Sequence, residues 1–207
     1  MKRIFILLIA LASLAVAGPY PYTHDGFFLN FALGFGYQGL DYEGEDEEAF
    51  YEASASGLAF DMSYRIGGRI APFTVLHATV LRVSNLSELE ADITVKGKTE
   101  SFSTSDYIAA MYLYGIGVTY FIPPHNYYVS GSVGTALFTM EDDDDYIKAS
   151  SSLGIGFQLL AGKEWWISEN WGIGIAVAMS YGSADDKDDT GEMSAFGINF
   201  FITATYN

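Results

Sequence analysis

The chain has 207 residues and no cysteine, which excludes a disulfide framework, a thiolate metal centre and a lipid-modified cysteine anchor. Ten basic against 26 acidic residues give a net charge of −16, which repels nucleic acid and favours divalent cations or basic partners. Half of the residues are hydrophobic, with 15 Tyr, 15 Phe and 22 Gly but 5 Pro, a composition that suits one β-structured domain better than a helical bundle.

The N-terminus has the three parts of an export signal. Lys2 and Arg3 are followed by the apolar run from Ile4 to Leu14 and by the small residues Ala15-Val16-Ala17, so residues 1–17 are expected to be a signal peptide cleaved before Gly18. The alternative, a membrane anchor, needs about 20 apolar residues, more than this run supplies. Cleavage removes two positive charges and makes the mature chain more acidic still. No later stretch reads as a transmembrane helix, so a membrane-resident mature chain has to be a closed barrel in which strands satisfy one another's backbones.

Period-two alternation then recurs along the chain. Residues 27–37 set Phe27, Leu29, Phe31, Leu33, Phe35 and Tyr37 against Phe28, Asn30, Ala32, Gly34 and Gly36. Around 58–66, Leu58, Phe60, Met62, Tyr64 and Ile66 oppose Ala59, Asp61, Ser63 and Arg65. Residues 73–83 are apolar on both faces, which predicts a strand without fixing its register. Further strands are predicted at 108–120, 127–137, 153–161 and 171–181. The last runs from Phe196 to Tyr206, with Phe196, Ile198, Phe200 and Ile202 opposite Gly197, Asn199, Thr203 and Thr205; Phe201 is the exception on the smaller face. That makes eight strands.

The connections alternate in length. Short turns are expected at Gly67-Gly68-Arg69, at Pro123-Pro124-His125-Asn126 and at Ser168-Glu169-Asn170, and long loops at about 39–56, 85–105, 141–148 and 183–191. The long loops hold most of the 26 acids, whereas the larger faces of the alternating strands hold no charge. This is the pattern of an eight-stranded antiparallel up-and-down transmembrane β-barrel with short turns at the periplasmic end and acidic loops outside. A soluble exported barrel or sandwich is the competing reading. It would bury its large side chains, whereas here the smaller Gly, Ala and Ser face suits a narrow lumen.

The alternating final strand ending in Tyr206, the eight strands and the export signal resemble the small outer-membrane barrels typified by the OmpA membrane domain, OmpX and OmpW. The segment Ala161-Gly162-Lys163-Glu164-Trp165-Trp166-Ile167-Ser168-Glu169-Asn170-Trp171-Gly172-Ile173-Gly174 is similar to a hairpin of uncharacterised outer-membrane barrel proteins. The resemblance covers essentially the whole mature chain through generic motifs, and it departs at the end, where Asn207 follows the terminal aromatic. It implies an outer-membrane location, lipid and lipopolysaccharide as surroundings, and the barrel-assembly machinery as a partner in biogenesis.

Some barrels of this kind hydrolyse peptides or modify lipid A through a His near the outer rim. His24, His77 and His125 all fall outside the outer loops, so no enzyme is expected. The run Glu141-Asp142-Asp143-Asp144-Asp145 is read as a solvated loop, with loosely held Ca²⁺ or Mg²⁺ on Asp142, Asp143, Asp144 and Asp145 as the alternative. The four acidic loops together could bridge through divalent ions to lipopolysaccharide phosphates. No other cofactor is expected. Inside, Asp61, Arg65, Gln158 and Glu164 are expected to pair across the lumen and plug it; the alternative is a narrow polar path. Trp165, Trp166, Trp171 and Tyr206 are read as membrane-interface aromatics, with Lys163 and Glu164 as anchors beside them. The expected role is structural or surface-interacting through the acidic loops; the alternative is a narrow channel for small or hydrophobic solutes, as in OmpW-like barrels.

Overall fold

The structure, a computed structural model, describes residues 23, 24, 26–45, 49–95, 98–104, 107–142, 147–187 and 191–207. The expected signal peptide and the loop residues Asp143, Asp144 and Asp145 lie outside the described residues.

The alternating segments form strands β1 (Phe27–Glu45), β2 (Ala49–Ala71), β3 (Thr74–Asn85), β6 (Tyr107–Ile122), β7 (Tyr127–Asp142), β9 (Gly154–Trp166), β10 (Trp171–Asp185) and β11 (Gly191–Tyr206). Each is antiparallel to the next, and β1 pairs with both β2 and β11, closing an eight-stranded barrel. Three shorter strands lie off this circuit: β4 (Leu89–Val95) and β5 (Lys98–Thr104) form a hairpin beside β2, and β8 (Ile147–Ser150) pairs with β7.

The register fixes the shape of the barrel. Asn30 pairs with Arg65, Arg65 with Thr79, Thr79 with Gly115, Gly115 with Gly134, Gly134 with Gly156, Gly156 with Gly182, Gly182 with Ala195, and Ala195 with Leu40. The circuit closes on β1 ten residues beyond its start. A horizontal ring therefore slips by about 1.25 residues per strand, the stagger of a narrow barrel whose strands tilt by about 35–45°. Four glycines lie on this one line for a packing reason. A Cβ on Gly156 would sit 3.1 Å from Leu113 Cδ1, and one on Gly182 would sit 2.7 Å from Met111 Sδ. The side chains of β6 fill the lumen that these glycines leave open.

The faces are inverted relative to a water-soluble fold. Phe200 and Ile202 are 68% and 72% exposed, while Ala176, Ala178 and Ser180 on the neighbouring strand are buried. Large outward apolar side chains recur on all eight barrel strands. A continuous apolar belt of this extent is a lipid-facing surface rather than a set of scattered exposed residues. From Phe27 to Tyr37 the outward face of β1 spans ten residues, or ~25 Å along the barrel axis after tilt, the height of a barrel's apolar band. The soluble-sandwich reading fails on this inversion.

The doubly apolar segment is settled as β3. Val75, His77, Thr79, Leu81 and Val83 point inwards, while Leu76, Ala78, Val80 and Arg82 point outwards. One expected turn is displaced. Gly67-Gly68-Arg69 stays within β2, paired with His77, Leu76 and Val75, and the chain reverses at Pro72-Phe73 instead. Gly67 serves close packing, since a Cβ there would strike Leu76 and His77 of β3. The other short turns fall where expected, and Asn126 has the positive φ of 54° that asparagine tolerates in a tight turn.

At the opposite end the expected loops at 39–56 and 85–105 are largely regular. β1 and β2 continue paired as far as Glu45 and Phe50, and the β4–β5 hairpin extends the wall, with the Thr94 and Thr99 hydroxyls 2.8 Å apart.

Candidate functional site

Two features are candidates for function: the lumen and the acidic rim above the apolar band. The lumen is built of inward residues in layers. At the short-turn end His24 inserts ahead of β1, stacks on Phe121 at 3.4 Å and lies 2.9 Å from Asn207 Oδ1 through Nδ1. The residues that flank the barrel sequence thereby narrow its mouth, beside an open pocket of about 670 Å³ that His24, Phe121, Glu164 and Trp166 help to line.

Above this lies a network that crosses the lumen. Thr205 donates to Glu164 Oε1, and Asn30 Nδ2 donates to Thr205 Oγ1 at 2.8 Å. Arg65 donates through Nη1 to Asn30 Oδ1 at 3.4 Å and through Nη2 to Gln158 Oε1 at 2.9 Å. Arg65, Gln158 and Glu164 are thus brought together and buried, but the guanidinium is held by amide oxygens rather than by a carboxylate. The expected charge-to-charge pairing is replaced by a chain of neutral relays through Thr205 and its register partner Asn30, which in turn pairs with Arg65. Asp61 is also buried and inward, yet neither of its carboxylate oxygens has a hydrogen-bond partner among the described residues.

Sequence reading placed His77 in mid-strand without a role. It is the hub of a second network: Nδ1 lies 3.0 Å from Thr79 Oγ1, Nε2 lies 3.0 Å from Thr119 Oγ1, and Thr79 continues to Ser132 at 2.9 Å. Its inward neighbours Ser130 and Ser132 lie on the small face of their strand, which was the signal available; Thr79 lies on the doubly apolar β3, which gave none.

Higher still, Leu81, Val83, Met111, Leu113, Ala136 and Phe138 form an apolar plug. At the far mouth Tyr42 donates to Asp186 Oδ2 at 3.2 Å. Its ring sits against Gly44 and Gly191, where side chains would collide with it.

The rim carries the charge. Asp185 pairs with Glu192, Glu192 with Glu43, Glu43 with Glu52, and Glu52 with Asp92. Five carboxylates therefore stand in register across β10, β11, β1, β2 and β4. They continue the outward face of the wall beyond the apolar band. Cross-strand partners of like charge, with Cβ atoms about 4.5–5.5 Å apart, are destabilising when uncompensated. Asp41, Glu43, Glu52, Glu90 and Asp92 line one open groove on this surface. Among the described residues no three His, Cys, Asp or Glu side chains converge as a chelating group, so the rim is a line of charge rather than a cage. Asp142 is the last residue of β7.

The aromatic girdle at the short-turn end is formed by outward residues. Trp171 and Tyr206 pack at 5.3 Å, Tyr206 reaches Phe27 at 6.5 Å, and Trp165 is exposed. Lys163 Nζ donates to the His125 carbonyl at 2.9 Å and sits 4.3 Å from the centre of the Tyr127 ring. Trp166 is a correction to the expected set. Successive strand residues alternate faces, so Trp165 and Trp166 cannot both meet lipid, and Trp166 turns inwards to within 4.9 Å of His24.

No protein-family model matches the chain, and no curated protein matches it. Among solved structures, the crystal structure of neisserial surface protein A superposes with a TM-score of 0.52 at 12% identity, over 87% of this chain and 96% of that one. The outer membrane protease OmpT from Escherichia coli gives 0.48 at 9% identity, over 89% and 97% of the two chains. The outer membrane protein OprG from Pseudomonas aeruginosa gives 0.42 at 10% identity, over 89% and 96%. At these identities the likeness is one of fold: the chain is an eight-stranded antiparallel barrel of the small outer-membrane kind.

Proposed function

We propose that this is a non-conducting, non-enzymatic barrel of the bacterial outer membrane that acts at the cell surface through its acidic rim, holding divalent cations that bridge to lipopolysaccharide phosphates. The observation that carries this reading is the in-register carboxylate row Asp185–Glu192–Glu43–Glu52–Asp92 directly above the lipid-facing band. Such a row needs counter-charge, and hard divalent cations with oxygen ligands supply it while sharing their remaining positions with phosphate oxygens. The row lies beyond the long-loop edge of that band, the side on which this reading puts those phosphates. Export by residues 1–17 and insertion by the barrel-assembly machinery belong to the same proposal, and Asp142 to Asp145 would extend the acidic surface.

The narrow-channel alternative needs a continuous path. His24 with Phe121, Arg65 with Gln158, the Met111–Leu113–Phe138 plug and Tyr42 with Asp186 all cross that path at different heights, which favours the closed reading. Catalysis would need a free base near the rim; the lumen imidazole of His77 has both nitrogens engaged by threonine hydroxyls.

The test is thermal unfolding of the barrel in vesicles with and without lipopolysaccharide, titrated with Ca²⁺. Stabilisation by millimolar Ca²⁺ only when lipopolysaccharide is present, and its loss in Glu43→Gln/Glu52→Gln/Glu192→Gln, is the expected result. Equal Ca²⁺ responses in the wild type and the triple variant would overturn the reading.

A further inference from the structure

The outward wall is not uniform. An open groove of about 1170 Å³ crosses it, and the strand register explains its course. One edge is the paired row Leu33–Ile202–Ile175–Lys163–Tyr127. The other is the row Phe35–Phe200–Val177–Ala161–Val129, two residues nearer the long-loop end on each strand. Between them runs the backbone of Phe201, Ala176, Gly162 and Tyr128, whose side chains are buried inside or absent. The rows cross five strands, or ~19 Å at ~4.8 Å per step. The stagger of the barrel makes them descend from the middle of the apolar band at Leu33 to the short-turn end, where Tyr127 is the first residue of β7. Ala161 leaves a gap in the second row between the larger, exposed Val129 and Val177.

Among the described residues that line the groove, Lys163 alone is charged. Its ammonium donates to the His125 carbonyl at 2.9 Å and lies 4.3 Å from the centre of the Tyr127 ring and 5.6 Å from that of Trp165. These contacts fix the charge at the lower end of the groove without neutralising it. The one hydrogen bond leaves two ammonium protons for a ligand. Glu164, next in sequence, is buried on the opposite face of the strand.

We infer that this groove is a binding site for one anionic phospholipid of the leaflet at the short-turn end, with an acyl chain between the two rows and the headgroup phosphate on Lys163 Nζ. Shape and charge both select this occupant. A narrow apolar slot of that length suits a single extended chain, and a fixed cation where the band ends favours an acidic headgroup. A second copy of the barrel seated here would bury the Lys163 charge in an apolar interface, which is costly.

The groove and the acidic rim lie at opposite ends of the wall, and they are tested apart. The refolded barrel is equilibrated in detergent micelles with equimolar phosphatidylglycerol and phosphatidylcholine of the same chain length. EDTA is present and lipopolysaccharide is left out, so that failure here leaves the rim reading standing. Native mass spectrometry then counts the lipids retained per barrel. The expected result is a single retained lipid, with phosphatidylglycerol preferred by about fivefold. Lys163→Gln should abolish the preference and Lys163→Arg should keep it. Ala161→Phe fills the gap from the lipid side, leaves the lumen packing untouched, and should lower retention of both lipids. Equal retention of the two lipids by the wild type, a preference unchanged in Lys163→Gln, or a lipid-free dimer would overturn the inference.

Discussion

A lysine placed on the outward wall tests the inverted surface most sharply, because its cost depends on depth. Ile202 is 72% exposed and pairs with Leu33, close to the centre of the band between Phe27 and Tyr37. Phe196 lies on the same strand and face but pairs with Gly39, at the outer edge. Charge at the midplane of a barrel's lipid face costs about 2–4 kcal/mol, falling to about 0–1 kcal/mol near the interface. Ile202→Lys is therefore expected to lower the folding equilibrium constant in vesicles by roughly 30- to 900-fold, and Phe196→Lys by about fivefold at most. Reversible denaturant unfolding from lipid vesicles, followed by tryptophan fluorescence, measures both. Were the wall in water, Ile202→Lys would be neutral or would improve solubility. Equal small effects at the two depths would refute the membrane assignment of this face.

Gly156→Val adds bulk 3.0–3.2 Å from the Tyr181 carbonyl, Leu113 and Ala136 and is expected to destabilise the barrel by about 1–3 kcal/mol in the same unfolding assay. Arg65→Met leaves the Asn30 and Gln158 amide oxygens without their donor, an expected loss of about 1–3 kcal/mol, with the barrel still forming on a heat-modifiability gel. Brominated lipid should quench the outward Trp165 and Trp171 but not the inward Trp166. Trp166→Phe would then leave the quenchable fluorescence intact, while Trp165→Phe would reduce it.

Much of the wall was legible because lipid imposes a one-sided rule. Phe196, Ile198, Phe200 and Ile202 point outwards as their alternation required, and even the exception is physical, since Phe201 turns inwards and its ring fills the space over Gly34. The rule failed at β3, where Val75, Leu81 and Val83 join the apolar plug inside while Leu76 and Val80 meet lipid outside. Both faces are then apolar and alternation carries no sign. It failed again at Gly67-Gly68, where Gly67 marked close packing against β3 rather than a turn. Consecutive tryptophans looked like a girdle, but strand geometry gives them opposite faces. The lumen network was legible in its members, since Asp61, Arg65, Gln158 and Glu164 all lie on inward faces, but not in its pairing. That Arg65 meets Gln158, 93 residues away, follows from strand stagger and not from any local pattern.

The central claim is a closed lumen beneath an acidic surface, and single-channel recording of the refolded full barrel in planar bilayers tests it most directly. The account predicts a silent trace from properly folded, heat-modifiable protein, with and without millimolar Ca²⁺. Discrete openings of constant size, reproducible between preparations, would contradict it and make the polar layers a conduction path.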